Sequence, residues 1–490
     1  MFRTQLNKFV ASYKKMPLSA KASLFFLAAN IFQKAIMVVF TPVFTRIMTT
    51  EEFAQYAVFQ SWETIFTVFV TLNISSYATA KALVEFKDKQ DDFISSAEFL
   101  TILLVLFFLG IFLIVKSFIG EINAFPTWVS ILLFVDMASV AFFSFWSQSE
   151  RFNQRYKALT LVSIATGMLS PIIAFFLIVF SKDIGLYKGW ARVIGLVLTN
   201  GIAAIFILYW SVKKSKTFFV LKYWKYCIQY CLPLIPHFLS MAFLLKVGQL
   251  FVDRYCGGNM SGIYALANSL ALLMMVFNDA LTKTLVPWTY QKMAIKSYNE
   301  IKKPITIALI IIAILDIAMA LVAPELVRIF ANSAYYDAIY AIPPLVAVCF
   351  FGFLYNTFAN IEYYFKETKY VSFASVCAGV VILTANFLLV PKFGYIAAAY
   401  STWFSYVIYA IMHYVFMQLT IKKHIDGIKI YDDSFILKVS LIFSAIIACI
   451  PILYKYTEIR WSIIGFVIVF AIVMRKTIIK TACILKKEKT

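Results

Sequence analysis

The sequence predicts an all-α protein that crosses a membrane many times, and three observations predict it. First, 62% of the 490 residues are hydrophobic and only 14% are charged, whereas a soluble domain is about half apolar and a quarter charged. Second, the apolar residues come in runs of about 20, enough for a helix to cross about 30 Å of hydrocarbon. Third, Lys and Arg alternate along the chain. With the N-terminus placed on the cytoplasmic side, and residues near span ends counted with the adjoining segment, 31 of the 45 basic residues fall in the inward segments and 9 in the outward ones. Basic residues concentrate in cytoplasmic loops, so the alternation sets the orientation and supports the span count. It also accounts for the net charge of +20 without any nucleic-acid partner.

Fourteen spans are predicted, near residues 24–44, 54–80, 98–119, 126–147, 158–180, 186–211, 231–252, 262–286, 304–330, 340–362, 370–390, 395–418, 435–454 and 461–479. Strict apolar–polar alternation is missing, so these are helices rather than barrel strands. Residues 1–21 carry Arg3, Lys8, Lys14, Lys15 and Lys21. They read as a basic interfacial lead-in rather than a signal peptide. The loops are short, and none predicted to face outward is large enough to carry an enzyme's outer domain. The 28 Tyr and 9 Trp read as interfacial belt and core. The seven Cys show no metal spacing. Cys227 and Cys231 share one helix face, and no structural disulfide is expected.

The chain repeats itself. Arg46 is followed by Tyr56 and Ser61, and Arg254 by Tyr264 and Ser269, at the same spacings. Gly185 precedes the sixth span and Gly394 the twelfth, again in register, at an offset of about 208 residues. Self-similarity over six spans predicts two lobes in the same orientation around a central cavity, with substrate bound near the midplane. The expected organisation is an N-terminal six-helix lobe over 1–216, a C-terminal six-helix lobe over 217–420, and a linker with two extra helices over 421–490.

Charges within apolar spans are costly and therefore mark candidate sites. Lys34 lies about 15 Å from both ends of its span, too deep for easy snorkelling. With Lys246 and Arg192, both nearer span ends, it forms the expected substrate-binding set, suited to a diphosphate. Arg46, Asp253 and Arg254 lie at outer helix ends and are the expected gate or inter-lobe residues. Glu63, Asp136, Asp279 and Asp316, with Lys283, are candidates for ion or proton coupling. His237 and His413 read as packing residues on apolar segments.

The residues at these landmarks resemble a known family. Phe40-Thr41-Pro42-Val43-Phe44-Thr45-Arg46-Ile47, Glu51-Glu52-Phe53-Ala54-Gln55-Tyr56, Asp253-Arg254 with Gly262-Ile263-Tyr264-Ala265-Leu266-Ala267, and Asn386-Phe387-Leu388-Leu389-Val390-Pro391-Lys392-Phe393-Gly394-Tyr395 occur in order. Together they resemble the O-antigen and capsule polysaccharide flippases, in the exporter superfamily that also holds multidrug and toxin extruders. Ala54 and Ala397 stand where the family often has Gly. The resemblance implies alternating-access transfer of an undecaprenyl-pyrophosphate-linked oligosaccharide, such as a lipopolysaccharide O-antigen or a capsule/exopolysaccharide repeat unit, to the outer leaflet. It implies a bacterial inner membrane with both termini cytoplasmic. Expected partners are membrane lipids and the polymerase and chain-length proteins of the pathway. No cofactor is expected beyond coupling to H+ or Na+. The rival readings are a cation extruder of the same superfamily, and a membrane glycosyltransferase or polymerase using lipid-linked sugars. An extruder should have a cavity dominated by acids, and an enzyme needs catalytic groups in a large outer loop. The sequence offers no P-loop for ATP-driven transport by this chain alone, and the protein is expected not to be an enzyme.

Overall fold

The computed structural model describes residues 18–119, 125–183, 185–466 and 469. The basic lead-in up to residue 17, Ile184 and most of the fourteenth predicted span lie outside the described residues. No β-strand occurs among the described residues. Ten of their helical stretches are long and apolar enough to cross a membrane, by length and composition. The protein is therefore an all-α, multi-pass membrane protein.

The chain folds as two units, one holding the described residues up to Met48 and Phe59–Ile235, the other Thr49–Val58 and the described residues from Pro236 on. In the first unit α1 (Leu18–Ile47) packs on α6 (Tyr156–Val179). There Gln33 Nε2 donates to the Ser163 carbonyl at 2.8 Å. Helix α2 (Thr50–Val70) is shared, its first turns belonging to the second unit. It stops earlier than the predicted span 54–80. Leu72 and Asn73 both adopt positive φ (50° and 49°), a conformation helices do not continue. The chain then makes the short α3 (Ala78–Glu85). Helices α4 (Gln90–Ile119), α5 (Thr127–Phe152) and α7 (Lys188–Lys214) complete the spans of this unit. Gly195 of α7 sits against the backbone of Ala174 on α6, where a Cβ would meet its Cα at 2.7 Å.

The predicted loop 212–230 contains a further helix, α8 (Leu221–Cys231). Its apolar residues recur on one face, so it lies on the unit with Tyr223, Cys227 and Cys231 buried among Phe93, Phe142 and Phe145. Its charged face is what made the segment read as a loop.

The second unit opens with α9 (Ile235–Ala271), whose helical path is broken at Gly257 (φ 81°, ψ 168°). This break separates the predicted spans 231–252 and 262–286, the second running on into α10 (Met275–Ala294). Helix α11 (Tyr298–Leu321) ends before the predicted boundary at 330. Pro324 restarts the chain as the short α12 (Ala323–Phe330). The centre of the unit is α13 (Ile342–Tyr364), buried without interruption over residues 342–354. Helices α14 (Thr368–Phe393) and α15 (Tyr395–Ile425) pack on it. Helix α16 (Asp433–Leu453) joins the same core, with Phe443 stacked on Phe350 at 4.2 Å. A further helical stretch at 457–466 is tied to this unit by Arg460, which donates to the Leu321 carbonyl and to Glu325.

The repeat is visible in the backbone. Gly185 and Gly394 both take positive φ (64° and 72°) just before α7 and α15, a region that glycine enters without steric cost.

Candidate functional site

In the first unit the cations gather along α1. Lys34 is half-buried near the middle of the helix. Arg192, at the start of α7, turns onto α1, with its guanidinium carbon 4.3 Å from the centre of the Phe44 ring. The contact is a cation–π pair on a ring only 2% exposed. It lies ten residues beyond Lys34, about 15 Å along the helix axis. Lys188 Nζ donates to the Ile47 carbonyl at 2.6 Å, a cation at the negative end of the α1 dipole. Asp136 on α5 is fully buried. One of its oxygens accepts from Asn200 Nδ2 at 2.9 Å, and the other has no hydrogen-bond partner among the described residues. Glu63 is half-buried on α2.

In the second unit the repeated helix starts cross one another. Thr49 and Glu52 form a reciprocal N-terminal cap on α2: Thr49 N–H donates to Glu52 Oε2 at 2.8 Å, and Glu52 N–H to Thr49 Oγ1 at 3.2 Å. The equivalent turn after the Gly257 break lies directly against it. A Cβ on Gly262 would stand 2.0 Å from the Thr50 carbonyl oxygen, and one on Gly258 would stand 2.6 Å from Glu51 Cγ. Only glycine lets the two backbones approach so closely. Polar groups lock the crossing. Thr50 Oγ1 donates to Asn259 Oδ1 at 2.7 Å, and Tyr335 Oη to the Thr49 carbonyl at 3.1 Å. Gln249 Nε2 donates to Ser261 Oγ at 2.7 Å. Asp253 is half-buried beside this crossing, and Arg254 and Arg46 are exposed at the ends of their helices.

Of the remaining predicted site residues, Lys246 is half-buried on α9, Asp279 and Lys283 are exposed on α10, and Asp316 is 1% exposed on α11. The structure thus groups Arg192 with α1, and Asp253 with the glycine crossing. It leaves Asp136 and Asp316 as separate buried acids, one in each unit.

One pair escaped the sequence reading. His413 Nδ1 lies 2.8 Å from Glu362 Oε1, and both side chains are fully buried between α13 and α15. Tyr355 and Tyr409 flank the imidazole, with ring centres at 5.8 and 4.6 Å. His413 Nε2 and Glu362 Oε2 have no hydrogen-bond partner among the described residues. His413 is therefore a paired ionisable group, not the packing residue expected. No local motif marks it, because its partner is 51 residues away.

Comparison with known proteins agrees with this architecture. Residues 19–293 match the family model described as polysaccharide biosynthesis protein. An "Uncharacterized membrane protein" of Haemophilus influenzae is 20% identical over 377 residues, covering 74% of this chain and 89% of that protein. Among solved structures, the lipid II flippase MurJ in an inward closed conformation superposes with a TM-score of 0.69 at 16% identity, over 93% of this chain and 99% of that one. An inward-facing multidrug-resistance MATE family transporter of the MOP superfamily gives 0.61 at 14% identity, over 81% of this chain and 95% of that one. The chain belongs to the polysaccharide biosynthesis protein family, whose model matches more than half of it, and it shares the fold of these solved structures.

Proposed function

We propose that this protein carries an undecaprenyl-pyrophosphate-linked oligosaccharide from the cytoplasmic to the outer leaflet of the bacterial inner membrane by alternating access. The observation that carries the reading is Lys34, a half-buried ammonium at mid-depth on α1. An ionised group at that depth is retained where it serves a polar partner or ligand, and an ammonium suits phosphate as a point charge. Arg192 of α7 adds a second cation, set against α1 at Phe44, and Lys246 is the matching candidate in the second unit. In this reading the glycan and diphosphate occupy the polar interior, the polyprenyl tail stays in lipid, and fourteen helices place both termini in the cytoplasm. The crossing at Gly258 and Gly262, with Asp253 beside it, serves in the outer gate, and Arg46 and Arg254, at the ends of their helices, are the further gate residues proposed. Coupling to H+ or Na+ falls to the buried acids, of which Asp136 and Asp316 are the most enclosed. The product would pass to the polymerase and chain-length proteins of the pathway.

The test is deletion of the chain in its host, followed by analysis of lipid-linked intermediates. Loss should accumulate undecaprenyl-linked repeat units on the cytoplasmic face, and the chain with Lys34→Ala should fail to clear them. A deletion strain that instead loses only resistance to organic cations would assign the protein to the extruder branch.

A further inference from the structure

The first unit holds a cavity of about 520 Å³ between the ends of α4, α5, α6 and α7, which the charge pattern assigns to the cytoplasmic side. This volume falls within the range of small-molecule sites, about 300–1,000 Å³. Glu98, Glu150 and Asp91 line it, together with Trp146, Trp210 and Lys214. Its chemistry is opposite to that of the cationic α1 surface. Glu98 is the decisive residue. It is 2% exposed, Ser211 lines the cavity with it, and its Oε1 has no hydrogen-bond partner among the described residues. A buried carboxylate oxygen without a partner is costly, and this one lines a cavity large enough to admit a ligand. The other acids are tied to cations at the rim. Asp91 Oδ1 lies 3.9 Å from Lys214 Nζ, and Glu150 Oε1 lies 3.6 Å from Arg155. The free acceptor is therefore the deepest one, with indole walls beside it.

We propose that this cavity binds an organic ammonium ligand, its charged nitrogen at Glu98 and its apolar body between Trp146 and Trp210. A carboxylate gives the ammonium a charge-assisted hydrogen bond, and an indole face adds cation–π attraction. Two sources could supply such a ligand, a free amine or the ethanolamine headgroup of an inner-leaflet phospholipid. The site is independent of the proposed substrate path and does not require it.

The experiment is equilibrium binding of n-octylammonium, with n-octanol as the neutral isostere, to the purified full-length protein in phosphatidylglycerol nanodiscs. The wild type should bind the amine saturably and in preference to the alcohol. Glu98→Gln should weaken it by about tenfold to a hundredfold, the worth of a charged hydrogen bond. Ala203→Trp, which fills the cavity without changing a charge, should abolish it. Both variants are first matched to the wild type in melting temperature, and Ala203→Trp decides if Glu98→Gln misfolds. Weaker apparent amine affinity in phosphatidylethanolamine nanodiscs would identify the lipid headgroup as the source. Unchanged affinity would identify a free amine, and either result supports the site. Equal binding of amine and alcohol, or amine binding unaltered in the folded variants, would overturn the proposal.

Discussion

Lys34 stands out by pattern alone, a lysine ten residues inside an apolar run, and the structure adds only that it is half-buried mid-helix. If it engages the substrate's diphosphate, Lys34→Ala should lower export by about tenfold or more. Lys34→Arg, which keeps the charge, should retain most of it. The readout is surface polysaccharide per unit of membrane-inserted protein. The His413–Glu362 pair was not legible. Glu362 stands two residues from the end of α13 and resembles a loop acid, while His413 stands alone in an apolar run. Only the packing of α13 on α15 brings them within 2.8 Å. Removing one member strands the other in a site with no exposure. His413→Ala should therefore destabilise the second unit by about 3–5 kcal/mol, read as a lower melting temperature in detergent. An unchanged melting temperature would mean that the pair adds nothing. Glu98 escaped for a related reason. It marked the edge of a predicted span, and edges are where sequence reads worst.

The helices themselves follow from hydrophobic length. Their interruptions follow from residues whose effect depends on neighbours. Gly185 and Gly394 mark the repeat, and both have positive φ. Gly257 passed unnoticed because the apolar segments on either side already implied a turn somewhere between them. Helix α8 was missed because its polar face hid an apolar one. The Thr49–Glu52 cap is a local pattern that sequence could have shown, since it needs only a hydroxyl and a carboxylate three residues apart. The close crossing at Gly262 could not be seen, because it depends on where Thr50 lies. Gly262→Ala must push a methyl group into the Thr50 carbonyl. The expected cost is about 1–3 kcal/mol, with export impaired beyond the loss of folded protein. Gly110→Ala, whose Cβ meets nothing within 4 Å, is the control and should leave both unchanged.

For the whole molecule, composition and loop charge were sufficient to establish a multi-pass helical protein. The internal repeat indicated duplication, while the way the chain divides into two units needed coordinates. The added C-terminal segment is fastened to the second unit by Arg460, which makes a bidentate pair with Glu325 at 2.5 Å through both nitrogens. The Arg460 hydrogen bond holds the Glu325 carboxyl below its ordinary range. The folded value is thus the lower one. The pair stabilises the fold above the unfolded carboxylate value of about 4.3, and that contribution is lost as pH falls through the folded value. Melting curves from neutral to acid pH should therefore fall more steeply for the wild type than for Glu325→Gln. Parallel curves would remove the pair from the account.

The cargo can be identified by reconstitution. Proteoliposomes containing the purified chain and an undecaprenyl-pyrophosphate-linked oligosaccharide can be probed with a membrane-impermeant glycan-modifying enzyme. The account predicts that the protein speeds the appearance of accessible glycan and that Lys34→Ala abolishes this acceleration. Transfer no faster than in protein-free vesicles, together with export of a small organic cation by the same preparation, would contradict it.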